Sequence, residues 1–213
     1  PETGEPFHGE WVENEDGTKD WVDDVVFPSG NTDPVYISDW EWMFNIFQGY
    51  LDGLAANGVD GYCVQLPYQG VNLVGDMMSG FGGVGPCMYY DENEDIQFGL
   101  TGEGMRAYVE CMTNWYKNGW VDSSFAERSS DMFFMIDATT IYTGTCGLWY
   151  GLGSQLLDGL AGDGSNPLTA NAVVYACTTP INDVYGDASV QNKKPTTYYT
   201  GGYLGCGWVI TDK

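Results

Sequence analysis

The stretch from Gly99 to Phe125 leaves the chain few choices: it must be an amphipathic helix followed by a held turn. Thr101 is placed to cap the start, and Glu103 sets an acid in the first turn, where the helix dipole favours it. Met105, Tyr108, Val109, Met112 and Tyr116 recur at helical spacing and predict an inward stripe, with Arg106, Glu110, Asn114 and Lys117 on the watered side. Asn118-Gly119 is the stop signal. Trp120-Val121 follows, then Asp122-Ser123-Ser124-Phe125, a turn that carries an acid and an aromatic out of the helix. Such a turn can wall a binding site or can serve packing alone.

Upstream, residues 1 to 36 are polar and carry no helix signal. Glu10-Trp11-Val12 and Asp20-Trp21-Val22 flank Asp16-Gly17, which predicts two short strands around a tight turn, then a connector to Pro34. Ser38-Asp39-Trp40-Glu41 has the spacing of a capping box. The helix behind it places Trp40, Met43, Phe44, Phe47, Leu51 and Leu54 on one face and stops near Asn57-Gly58; Trp42 lies off that stripe and is expected to pack on a neighbouring element. Asp60 to Leu66 reads as a strand, and Pro67-Tyr68-Gln69-Gly70 presents Tyr68 at its C-terminal end, where open α/β sheets bind ligands.

A helix-like segment is expected over Val71–Ser79. The loop Gly80 to Pro86 lacks the spacing of a nucleotide-binding turn. Met88-Tyr89-Tyr90 and Ile96-Gln97-Phe98 read as strands around the acidic turn Asp91 to Asp95. That turn opens like a calcium loop, but Ile96 stands where glycine is required and Gly102 where the bidentate glutamate belongs, so it reads as a solvated hairpin tip. Ser129–Phe134 suggests helical turns. Thr139 to Cys146 has strand character and runs into Gly147-Leu148-Trp149, which leads to a short helix through Leu152, Leu156 and Leu160. The remainder is β-like, over Ala172–Ala176, Thr179-Pro180-Ile181 and Tyr198–Ile210. Tyr68 and Trp149 thus fall at the same edge of one sheet and begin a cleft.

Thirty acids against seven Lys and Arg give a net charge of −23, which argues against nucleic acid or an anionic membrane as partner. Thirty glycines, eight tryptophans and fifteen tyrosines suit a secreted or surface protein handling neutral polar ligands, since ring faces stack on sugar C–H faces. At 213 residues the chain can bury roughly 70% of its unfolded surface as one domain. No run of apolar residues is long enough to span a bilayer. The six cysteines lie at least 24 residues apart with no C-x-x-C pair, and His8 is the sole histidine, so neither zinc nor a cofactor is expected. Cys111 and Cys177 sit in apolar surroundings and read as buried thiols, with no bridge assigned.

In this order the segments resemble the extracellular solute-binding proteins of bacterial ABC importers, the sugar-binding, maltose-binding-protein-like family. The carriers are Ile37–Met43, Leu66-Pro67-Tyr68-Gln69-Gly70, Phe98–Thr101, Trp115–Phe125, the strand into Gly147-Leu148-Trp149, and the run from Thr179-Pro180 to Gly201-Gly202-Tyr203. The match is to that family's second lobe and covers residues 36 to 213. It implies an α/β fold, a type II periplasmic-binding-protein-like lobe with a mixed sheet flanked by helices, preceded by an N-terminal hairpin-like extension over 1–36.

The same resemblance implies that Tyr68 stacks on or bonds a sugar and that Trp149 forms an aromatic platform. Asp122 and Phe125 would line the cleft, and Tyr203 would contribute. It implies no catalytic residue, metal or cofactor. The partners implied are a mono- or oligosaccharide and the membrane subunits of an ABC importer, at a cell surface through a lipid anchor or in a periplasm. The family's first lobe and hinge have no counterpart in residues 1 to 213. The chain, opening at Pro1 and stopping where a further helix is expected, reads as a piece of a two-lobe protein. Two other classes stay open: a non-catalytic carbohydrate-binding module, and a glycoside hydrolase or lyase working with two carboxylates.

Overall fold

The computed structural model describes residues 9–66, 76–82, 88–91, 93–124, 138–149, 174–175, 177 and 180–185. Helices and short strands mix, and the strands form three two-stranded sheets, so the class is α/β-like. The N-terminal hairpin forms as its sequence dictates. β1 (Gly9–Glu13) pairs antiparallel with β2 (Lys19–Asp23), Trp11 opposite Trp21. The Asn14 side chain closes the loop by donating to Thr18 Oγ1 and Asp20 Oδ2.

The first long helix, α1 (Ile37–Ala55), buries Trp40, Met43, Phe44 and Leu51 and half-buries Phe47 and Leu54, the face expected from periodicity. Trp42, off that stripe, packs edge-on against Phe27 at 5.6 Å between ring centroids. The cap differs from the capping box read in the sequence. Tyr36 is the N-cap, and Asp39, fully buried, folds its carboxylate back: Oδ2 accepts from the amides of Val35 and Tyr36, and Oδ1 from that of Ser29. Ser38 instead donates to Asp183 Oδ1, and Glu41 accepts the Trp115 indole N–H. The helix begins two residues earlier than a Ser38 cap requires, because the connector brings three amides to the Asp39 carboxylate.

The second long helix, α2 (Glu103–Lys117), starts without Thr101 as its cap. Gly102 is the N-cap, and the Thr101 hydroxyl donates to the Phe98 carbonyl, closing the turn out of the preceding strand. The inward face is also rotated from the expected stripe: Tyr108 and Trp115 are buried, whereas Val109 and Tyr116 are each 49% exposed. Two adjacent apolar pairs, 108/109 and 115/116, leave periodicity undecided, and the larger indole takes the interior. There Trp115 stacks parallel to Trp40 (6.4 Å, 6° between planes) and meets Phe44 edge-on at 4.8 Å; Trp120 lies 5.5 Å from Phe44 on a tilted plane. Such ring pairs add of order 1 kcal/mol each beyond the area they bury. The expected outer face holds, with Arg106 Nε bonded to Glu110 at 3.0 Å in water. Gly119 stops the helix with φ 74°, a left-handed turn that lets the Trp120 amide reach back to the Trp115 carbonyl.

Between the long helices lie β3 (Tyr62–Gln65), a short 3-10 helix (Asp76–Phe81), and the hairpin β4 (Met88–Tyr90) with β5 (Ile96–Phe98). Met77, Met78 and Phe81 sit fully in the core, and Phe81 meets Tyr108 edge-on. The Pro180–Ile181 segment closes over this region. Ile181 bridges Tyr36, and a Cβ on Gly80 would stand 1.8 Å from the Pro180 carbonyl oxygen, so only glycine allows that approach.

Further along, α3 (Ala138–Tyr142) replaces the strand expected over Thr139–Cys146; the strand β6 is confined to Cys146–Trp149. The threonines explain the difference. The Thr143 hydroxyl bonds the Thr139 carbonyl and the Thr145 hydroxyl the Thr140 carbonyl, so side chains that favour strands instead secure a short helical turn. Val174 and Tyr175, read as strand, lie in no strand; the Tyr175 hydroxyl bonds Asp23 Oδ2. Cys63 and Cys146 are buried; of the two thiols read as buried, Cys111 is half-buried and Cys177 is exposed. The expectations for residues 71–75, 129–134, 152–160 and 198–210 lie outside the described residues. No described helix is long and apolar enough to cross a membrane.

Candidate functional site

β3 follows α1 after a tight stop and is apolar except for its last residue: Tyr62, Cys63 and Val64 precede Gln65. It pairs in parallel with β6, setting Tyr62 beside Cys146, Val64 beside Leu148 and Gln65 beside Trp149. Gly147 lets β6 lie close to α1, since a Cβ there would meet the Phe47 ring at 2.6 Å. The exit of α2 adds a third parallel segment. The Val64 amide donates to the Trp120 carbonyl at 2.9 Å, and the Asp122 amide to the Val64 carbonyl at 3.2 Å, so Val121 bridges Val64.

Three parallel segments therefore end at one edge, which carries Gln65, Trp149 and the Asp122 turn. Parallel sheets gather ligand-binding groups at this C-terminal edge because each chain leaves the sheet there and its loop faces outward. Trp149 is half-buried and packs against the small cluster of Ile141 and Cys146, so it is held by neighbours and still partly open. Gln65 is fully buried, and its amide nitrogen donates to Thr140 Oγ1 on α3. Asp122 is fully buried as well. Its Oδ1 accepts from the Ser124 amide at 2.9 Å and the Ser124 hydroxyl at 2.8 Å, which locks the turn leading toward Phe125.

Of the five side chains singled out from sequence, the structure brings Asp122 and Trp149 to the same edge. Tyr68, Phe125 and Tyr203 lie outside the described residues. Tyr68 follows the end of β3 by three residues, and Phe125 follows the Asp122 turn directly. Gln65 and Thr140 were not foreseen at this edge. A signal was present for Gln65, a lone amide closing an apolar strand; none marked Thr140, which the β-branched run assigned to a strand.

The edge holds amides, hydroxyls, one carboxylate and an indole. The half-buried Trp149 ring and Ser124 are partly open to C–H and hydroxyl groups, whereas Gln65 and Asp122, fully buried and bonded within the chain, shape the edge from inside. Among the described residues no group of three His, Cys, Asp or Glu side chains could hold a metal ion. Comparison with protein-family models, curated proteins and solved structures returns no match for the chain.

Proposed function

We infer that the chain is the ligand-binding lobe of an extracellular solute receptor, a type II periplasmic-binding-protein-like lobe that hands a carbohydrate to an ABC importer in the membrane. The observation that supports this reading is the shared edge of the three parallel segments. Trp149 stands there half-buried and packed against Ile141 and Cys146, and Asp122 holds a tight turn directly beside the end of β3. In this reading Trp149 is the stacking platform. Asp122 acts by position, fixing the turn through Ser124, and Phe125 and Tyr68, next in sequence after that turn and close after β3, would add contacts. A receptor needs affinity without a reacting group, and a half-open ring beside a fixed turn that carries Ser124 suits that need. The placement at a cell surface or in a periplasm, lipid-anchored or free, belongs to the same proposal.

Neutral mono- and oligosaccharides titrated against the chain, read by tryptophan fluorescence and by assay for new reducing ends, test it. One lobe offers half of a closed site, so saturation is expected near 1 mM or weaker. The signal should be saturable, absent in Trp149→Ala, and unaccompanied by cleavage. New reducing ends would move the protein to the glycoside hydrolases. A flat response across the panel would remove sugar as the ligand.

A further inference from the structure

The hairpin of β4 and β5 turns its apolar side chains the wrong way for a structural hairpin. Pairing sets Met88 opposite Phe98 and Tyr90 opposite Ile96, and strand alternation places these four on one face. That face is open: Met88 is 50%, Tyr90 52%, Ile96 63% and Phe98 40% exposed. The polar alternate, Gln97, is half-buried on the opposite face with Tyr89. Four large side chains about half exposed present on the order of 400 Å² of apolar surface, the upper range for a single patch on an ordinary monomer.

The tip beside this face is acidic and tied by hydrogen bonds to Asp91. Asp91 accepts from the amides of Asn93 and Asp95 through Oδ1 and from the Gln97 amide group through Oδ2. Glu94 holds φ 65°, a left-handed conformation that its backbone bond to the Asp91 carbonyl sustains. Glu94 and Asp95 stand exposed next to the Tyr90–Ile96 pair. We propose that this face docks a protein partner whose contact surface is apolar at its centre and basic along one side. Charge selects that occupant. A second copy would set acidic tip against acidic tip in a chain of net charge −23, and an anionic membrane would be repelled in the same way. Met88 and Ile96 are also poor stacking surfaces for a sugar. The face belongs to a different sheet from that of Trp149 and does not rest on the receptor reading.

The probe is a synthetic peptide of alternating leucine and lysine, compared with one of alternating serine and lysine at equal charge, each titrated into the full chain. The leucine peptide should bind at least tenfold tighter than the serine one. Ile96→Ser and Phe98→Ser should each remove about tenfold of that affinity, whereas Val109→Ser, an equally exposed apolar residue on α2, should not. Glu94→Asn, which keeps the left-handed backbone, should weaken binding about threefold and flatten its salt dependence. Because that variant leaves the apolar face intact, it tests the charge half even if the serine variants loosen the hairpin. Equal affinity for the two peptides overturns the proposal, as does equal loss on Val109→Ser. A dimer in sedimentation that Ile96→Ser abolishes would give the face to a second copy and overturn it too.

Discussion

Replacing Asp39 tests the account of how α1 is anchored. Its buried carboxylate takes three amide hydrogens from three positions of the connector, at 3.0 Å from Ser29, 3.1 Å from Val35 and 3.0 Å from Tyr36. Asp39→Ala strips the acceptor from all three. A lost bond with a stranded donor costs about 1–3 kcal/mol. Ser29 and Tyr36 are exposed and can recruit water, so the low end applies to them, and the variant should lose about 3–4 kcal/mol. Asp39→Asn can keep its oxygen toward Val35 and Tyr36, but it then turns an NH2 group at the Ser29 amide; about 2 kcal/mol should go. In urea, with a slope near 2 kcal/mol/M, these losses move the midpoint down by roughly 1.5–2 M and roughly 1 M. Ser38→Ala is the control. Its hydroxyl is exposed and makes one bond, to Asp183, so the midpoint should fall by less than about 0.5 M. A Ser38→Ala loss as large as that of Asp39→Ala would refute the reasoning and restore Ser38 as the cap. So would an Asp39→Asn variant indistinguishable from wild type.

Other perturbations have definite outcomes. Trp115→Phe removes the bond to Glu41 and thins the stack on Trp40, so thermal unfolding should show a loss of about 2–3 kcal/mol, with Val109→Ala on the exposed side near zero. Gly80→Ala drives a Cβ into the Pro180 carbonyl and should cost more than about 2 kcal/mol in chemical unfolding, whereas Gly53→Ala, with open space around it, should not destabilise. Burial pushes the Cys63 and Cys111 thiols up from 9.0 to about 12, with Asp52 and Glu41 respectively adding to it. The folded chain then holds protons that the unfolded chain releases, so stability should be full below pH 9 and fall as pH rises toward 12. Urea midpoints measured across that window check the sign, with Cys63→Ala and Cys111→Ala shallower than wild type. Alkylation at pH 8 followed by peptide mapping should label exposed Cys177 ahead of both.

The elements that local chemistry determines were readable from residues alone. Spacing of 3.6 set α1 and its inward stripe, since a helix with Trp40, Met43, Phe44 and Leu51 on one side has no other stable burial. Asp16-Gly17 set the first hairpin, and alternation around the acidic turn set the second. Asn118-Gly119 stopped α2 where expected, because the left-handed residue is a backbone requirement that no distant contact alters. Strand order alone put Tyr68 and Trp149 at one edge; the Asp122 turn joined them only through the family resemblance, and the structure sets it beside the end of β3.

What remained needed partners distant in sequence. Whether Tyr116 or Trp115 faced inward turned on Trp40 and Phe44, more than sixty residues upstream. The cap passed from Ser38 to Asp39 because the connector brought three amides to one carboxylate, and a four-residue motif cannot register amides supplied from Ser29. Thr139 to Tyr142 became a helix against strand propensity once Thr143 and Thr145 could bond back along the chain. Gln65 acquired its place at the edge only when α3 set Thr140 against it. Sequence by itself determined periodicity, turn chemistry and charge, which act over a few residues. Tertiary structure decided which of several equivalent faces was buried and which polar groups met, because desolvation is a property of the assembled contact.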